Sequence, residues 1–168
     1  MPKIIENLEN KLTEEAKRQI QELGYSAVTI RSVAKACGVG VGTVYNYFAS
    51  KDELLAAYML SDWNNCIAVI GEASVHAEDP EPVARCIYDQ LCAFAERHSS
   101  VFCDEAASSA YSGSFSQYHA LLRAQLSEPL RRFCEDEFTA LFVAESLLVW
   151  TMSGRGFDEI YGKIRKLF

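Results

Sequence analysis

The chain has 168 residues, 49% of them hydrophobic, and a formal net charge of −7. That length suits one or two small domains, and that apolar content suffices for a packed core. No apolar run approaches the ~20 residues that a membrane-crossing helix needs, which excludes a helical membrane span.

The opening stretch MPKIIENLENKL has no long apolar segment and no small-residue cleavage site. It does not read as a secretion signal, so a cytoplasmic protein is expected. Ile5, Leu8, Leu12, Ala16, Ile20 and Leu23 recur at spacings of three and four and predict a first helix over 5–23, which Gly24 ends. Lys17 and Arg18 on this helix read as solvated surface charges.

The most informative stretch follows, TIRSVAKACGVGVGTVYNYFASKDELL over 29–55. Thr29 suits the N-cap of a helix running to about Cys37, whose apolar face is Ile30, Val33, Ala34 and Cys37. Gly38 stands where a C-cap needs positive φ, and Val39 can plug the corner beyond it. A second helix is expected over 41–48, with Val44 and either Tyr47 or Phe48 turned inward, Phe48 being the preferred core residue. Val41, Gly42, Thr43, Tyr45 and Asn46 would face outward. Two helices joined by a short Gly-containing turn make a helix-turn-helix, in which the second helix enters a DNA major groove. An ordinary helical corner would not favour Thr, Tyr and Asn exposed together on so short a helix. Thr29, Arg31, Tyr45, Tyr47 and Lys51 carry hydroxyls or cations suited to phosphate oxygens. Val41, Gly42, Thr43 and Asn46 are candidates for the base edges: methyls for thymine, a bare glycine for close approach, an amide for adenine.

These residues resemble the TetR family of bacterial transcriptional regulators. The resemblance rests on Thr29, Ala34, Gly38, Val39, Tyr45, Phe48, Lys51 and Leu54, with Gly24-Tyr25 before them, and covers about residues 8–60. It implies an all-α fold: a three-helix N-terminal helix-turn-helix head over 1–50, then a helical ligand-binding and dimerisation domain over 51–168. It also supports Val41–Thr43 and Tyr45–Tyr47 as contact positions. Gly40 stands where many members carry Ser, which weakens the second helix's N-cap, and Tyr47 where many carry His.

Ser50 and Glu53 form a capping-box pattern ahead of a helix over 51–73, with Leu55, Met59, Trp63, Cys66 and Ile70 in one stripe. The acidic, Pro-containing stretch 74–82 reads as a loop. Further helices are expected over 82–97, 101–111, 115–133, 137–152 and 157–167, with Pro129 either kinking the 115–133 helix or starting a new segment. The 137–152 helix is the most apolar. Phe138, Leu141, Phe142, Glu145, Leu148 and Val149 share one face of it. The resemblance implies that the last two helices pair with their mates in a homodimer, which suits a palindromic operator on double-stranded DNA.

Residues 1–60 hold seven cations and seven anions, so the whole acidic excess falls in 61–168. A neutral head and an acidic remainder suit one end facing DNA. The six cysteines form no CxxC pair and the three histidines lack metal-ligand spacing, so no metal or cofactor is expected and the cysteines read as small core residues. No nucleophile elbow, phosphate-binding loop or zinc-protease motif is present, which argues against an enzyme. The function expected is a ligand-released repressor. Trp63, Cys66, Phe94, Phe102, Tyr111, Tyr118 and Trp150 are candidates to line a pocket for a small apolar effector. The alternative is a helix-turn-helix adaptor controlled through a protein partner.

Overall fold

The computed structural model describes residues 7–104 and 115–168, and every regular element among them is helical. In order these are α1 (Leu8–Leu23), α2 (Ile30–Ala36), α3 (Val41–Tyr45), α4 (Lys51–Val75), α5 (Pro80–Arg97), α6 (Ser99–Phe102), α7 (Phe115–Ser127), α8 (Glu137–Met152) and α9 (Phe157–Ile164). The chain divides into two compact units. The described residues of the first are 7–62 with 98–104, and those of the second are 63–97 with 115–168. The division falls inside α4, between Asp62 and Trp63.

The first unit is built on the apolar stripe of α1. Leu8, Leu12, Ala16 and Ile20 are buried with Val28, Ile30, Val33, Ala34, Val44 and Phe48. Leu54, Leu55 and Tyr58 of α4 and Val101 of α6 complete this core. Leu23, expected in the stripe, is 62% exposed, because the helix stops there and Gly24 turns the chain away at φ 82°. Ile5 lies outside the described residues. The predicted cap of α4 forms with one change of partner. Glu53 N donates to Ser50 Oγ at 3.1 Å, but the Glu53 carboxylate accepts from Ala49 N at 2.5 Å, one residue before the N-cap.

In the second unit Trp63, Cys66 and Ile70 of α4 are buried, as are Val83, Ala84, Ile87, Leu91 and Phe94 of α5. The α5 helix starts two residues earlier than the sequence suggests, since both Pro80 and Pro82 then sit in a first turn that needs no N–H donor. Pro129 acts as expected: α7 ends at Ser127 and a 3-10 segment, Glu128–Phe133, follows. Arg132 of that segment donates to the carbonyls of Ser74 and Ala77, closing the end of α4. Of the predicted 101–111 helix, only the part up to Asp104 lies within the described residues, and there the helix is Ser99–Phe102.

The orientation of α8 differs from the sequence reading. Its buried residues are Ala140, Val143, Ala144, Leu147, Leu148 and Thr151. Phe138 is 75% exposed, Phe142 52% and Trp150 49%. Both faces of this helix are apolar, so periodicity alone has no phase, and the small alanines pack inward where α5 and α7 approach closely. In α9, Phe157, Ile160 and Ile164 are buried, and the Tyr161 ring stacks on Phe157 at 5.2 Å.

Candidate nucleic-acid interface

The geometry of the head starts from a reciprocal cap. Ser32 N donates to Thr29 Oγ1 at 3.0 Å and Thr29 N donates to Ser32 Oγ at 3.1 Å. Thr29 therefore caps α2 as its sequence suggests, with Ser32 as a partner that a search for Glu or Gln at that position misses. The Thr29 hydroxyl only accepts in this arrangement, so its proton is available to an outside oxygen. The Ser32 hydroxyl lies 2.6 Å from Gln19 Oε1, and the Gln19 amide donates to Glu15 at 2.7 Å. Gln19 is buried, and this link ties α2 to α1.

The turn forms as predicted. Gly38 has φ 68°, and Val39 N donates to Ala34 O at 3.0 Å. Gly40 is the N-cap of α3 and supplies no side-chain cap, which makes α3 short, with five regular residues. The chain continues as a turn rather than ending there: Phe48 N donates to Val44 O at 3.0 Å, an i→i−4 bond. Val44 and Phe48 are fully or almost fully buried. The inward choice between Tyr47 and Phe48 thus falls on Phe48, and Tyr47 is 44% exposed.

The outward side carries the predicted candidates. Gly42 and Asn46 are exposed, Tyr45 is 54% exposed, and Val41 and Thr43 are half-buried. Thr29 and Arg31 on α2 are exposed too. Among the described residues no hydrogen bond holds the side chains of Arg31, Tyr45, Asn46 or Tyr47, so their polar groups are uncommitted. A Cβ added to Gly42 would meet nothing within 4 Å, so the helix surface there is open. Lys35, exposed on α2, is a further cation on the head that the sequence reading did not nominate.

Lys51 is held differently. Its Nζ donates to Tyr25 O at 2.9 Å and lies 3.7 Å from the centroid of the Tyr25 ring. The Tyr25 hydroxyl in turn donates to Asp52. An ammonium has three N–H donors, so one bond inward leaves two. Arg18 of α1 is committed to its own helix, with Glu15 and Glu22 each 2.6 Å away. The Arg18 guanidinium holds the Glu15 carboxyl below its ordinary range.

The seven residues nominated for a pocket separate. Trp63, Cys66 and Phe94 come together in the second unit. The Trp63 and Phe94 rings meet edge to face at 5.5 Å, Trp63 Nε1 donates to Gln125 at 2.7 Å, and Arg97 donates to Cys66 Sγ at 3.3 Å. Phe102 is 45% exposed in the first unit and Trp150 is half-exposed on α8. Tyr111 and the side chain of Tyr118 lie outside the described residues. Two open grooves, one over Lys11, Gln21 and Cys37 and one over Ser74, Pro129 and Arg132, contain none of the seven. The cysteines depart from a uniform core role: Cys66 is buried, Cys37, Cys86 and Cys134 are half-buried, and Cys92 and Cys103 are exposed. Burial pushes the thiols of Cys37, Cys86 and Cys134 up, away from the reactive thiolate. Among the described residues no group of three or more His, Cys, Asp or Glu could hold a metal ion.

Residues 12–58 match the family model described as bacterial regulatory proteins, tetR family. The transcriptional regulator UidR of Escherichia coli K12 is 30% identical over 53 residues, which are 32% of this chain and 27% of UidR. The regulator HbdR of Aromatoleum sp. strain CIB is 33% identical over 54 residues, 32% of this chain and 24% of HbdR. The chain thus matches about a quarter of the length of these relatives. The fold likeness extends further. The Streptomyces coelicolor A3(2) protein SCO7518 superposes with a TM-score of 0.71 at 16% identity, covering 94% of this chain and 96% of that one. Thermus thermophilus FadR, a TetR-family repressor in complex with lauroyl-CoA, does so at 0.65 and 20% identity, covering 95% and 92%. At these identities the likeness is one of fold.

Proposed function

We propose that this chain, whose residues 12–58 form a TetR-family N-terminal domain, is a homodimeric transcriptional regulator: a repressor that holds a palindromic operator and is released by a small apolar molecule. The observation that carries the reading is the division of the α3 turn. Val44 and Phe48 anchor it inward, while Gly42, Tyr45, Asn46 and Tyr47 stand outward with uncommitted polar groups. Thr29, Arg31, Tyr45, Tyr47 and Lys51 grip phosphates and set the register. Val41, Gly42, Thr43 and Asn46 meet base edges. In this reading the head over 1–50 binds DNA, and 51–168 senses the effector and dimerises.

Effector binding belongs beside Trp63, Cys66 and Phe94, where buried aromatic and sulfur side chains of α4 and α5 come together. A ligand that binds one arrangement of α4 more tightly than another shifts the population of DNA-competent dimers by that difference in affinity. Thermus FadR binds lauroyl-CoA, so a ligand screen begins with acyl-CoA and free fatty acids.

The deciding experiment is binding of the purified protein to the DNA upstream of its own gene, across a salt series. Tight, salt-dependent binding that Tyr45→Ala with Arg31→Ala abolishes supports the regulator. A folded dimer that binds neither this DNA nor any sequence selected from a random pool better than bulk DNA sinks it and puts the adaptor first.

A further inference from the structure

Gln19 interrupts the apolar stripe of α1. It follows Leu12 and Ala16 at helical spacing and is 4% exposed, yet its side chain is a primary amide. A buried amide is costly unless both of its ends are hydrogen-bonded. Here both are, and the two partners lie on different helices. The amide nitrogen donates to Glu15 Oε1 at 2.7 Å within α1, and Gln19 Oε1 accepts from the Ser32 hydroxyl of α2 at 2.6 Å.

The direction of these bonds is fixed from the α1 end. Arg18 donates to Glu15 twice, from Nε to Oε2 at 3.0 Å and from Nη2 to Oε1 at 2.6 Å, and holds that carboxyl below its ordinary range. An ionised carboxylate only accepts, so Gln19 turns its N–H groups to Glu15 and its oxygen to α2. That oxygen demands a donor, which the Ser32 hydroxyl supplies. Ser32 has one hydroxyl proton and a second acceptor in reach, Thr29 O at 2.8 Å, but Gln19 offers the shorter bond. With the proton so placed, a lone pair of Ser32 Oγ receives Thr29 N at 3.1 Å, and Ser32 N closes the cap on Thr29 Oγ1 at 3.0 Å. The series that begins at Arg18 therefore ends at Thr29, which is exposed, as is Arg31 beside it.

We propose that Gln19 is a positioning residue for DNA binding: through Ser32 it holds the first turn of α2, so that Thr29 and Arg31 meet their phosphates from a turn already fixed. The proposal rests on the regulator reading above and gives α1, which carries no nominated DNA contact, a part in operator affinity. Gln19 itself is buried and touches no DNA. Its contribution is preorganisation, since a segment that must be ordered on binding costs affinity.

The test uses the full chain and DNA that the wild type selects from a random pool. Gln19→Leu fills the place without the amide. It is expected to lower affinity for that DNA about tenfold, the worth of one hydrogen bond to a charged group. The melting temperature should stay unchanged, because Ser32 retains Thr29 O as an acceptor and Glu15 retains Arg18. In a Ser32→Ala background, Gln19→Leu should change affinity by less than about twofold, since the bond it removes is already gone. Exchanging the pair, Glu15→Gln with Gln19→Glu, keeps an acceptor turned to Ser32 and should bind within about threefold of wild type. Unchanged affinity of Gln19→Leu overturns the proposal, as does a loss of affinity that merely follows a lowered melting temperature. Additive losses in the double variant, or an exchanged pair as weak as Gln19→Leu, overturn it too. A wild type that selects no DNA overturns the regulator reading itself, a separate result.

Discussion

Arg31 and Lys51 are both cations of the head, and their surroundings separate them. Arg31 is exposed with no described partner, whereas Lys51 donates to Tyr25 O and lies over the Tyr25 ring. Arg31→Ala should therefore weaken operator binding, lower the slope of log affinity against log salt by about 1, and leave the melting temperature unchanged. Lys51→Ala should lower both affinity and melting temperature. Paired salt titrations and melting curves separate the two effects. Gly42 offers a different test. Gly42→Ser meets nothing in the free protein, so folding should be unaffected while the preferred base at one operator position changes, by about 1–3 kcal/mol of discrimination. Selection of bound sequences from random DNA, run beside a melting curve, reads both.

The corner between α2 and α3 depends on one backbone conformation and one side chain. Gly38 at φ 68° lets the chain turn, and Val44, fully buried, holds α3 to the head. Gly38→Ala should cost about 1 kcal/mol through left-handed strain, and Val44→Ala about 2 kcal/mol through lost burial and the cavity left behind. Denaturant unfolding measures both. The start of α8 depends on a charge. Thr139 N donates to Asp136 Oδ1 at 2.7 Å, and these backbone donors hold the Asp136 carboxyl below its ordinary value. A carboxyl depressed in the folded state contributes stability above its unfolded pKa and loses it as pH falls through the folded one. Wild type should thus be more stable than Asp136→Ala at neutral pH, with the difference shrinking through the acid range below the ordinary aspartate pKa. Melting curves of the two proteins from neutral to acid pH show the convergence.

For the molecule as a whole, α4 is the element shared by both units, with residues 51–62 in one and 63–75 in the other. An effector bound beside Trp63 acts on the same helix whose first turn carries Lys51. Linkage then demands reciprocity: an effector that lowers operator affinity by some factor must itself bind the operator complex more weakly by that factor. Titrating an effector found by screening into free protein and into protein saturated with operator should give that equality. Equal effector affinities in the two titrations would mean that the ligand does not regulate DNA binding.

Much of the head was legible beforehand because its determinants are local. Thr29, Gly38, Val39 and Ser50 act through bonds to residues within about five positions, so a cap or a left-handed glycine is visible as a pattern in one window. The preference for Phe48 over Tyr47 as the inward residue holds, but both are aromatic and adjacent, and it is the packed core that separates them. The link from Ser32 to Gln19 joins residues 13 apart, and that from Lys51 to Tyr25 joins residues 26 apart. No short pattern announces such contacts. The pocket candidates in the second unit illustrate the same limit: Trp63 and Phe94 meet, while Trp150, of the same residue type, faces outward.

By itself, then, the sequence determined an all-helical chain, the helix-turn-helix with its outward and inward residues, and the break at Pro129. Each of these follows from backbone preferences, capping or periodicity within one segment. The tertiary structure decided which face of α8 turns inward, which cations of the head are committed and which are free, and where the chain divides within α4. When both faces of a helix are apolar, its period carries no direction, and only the neighbours that close around Ala140 and Ala144 choose between them.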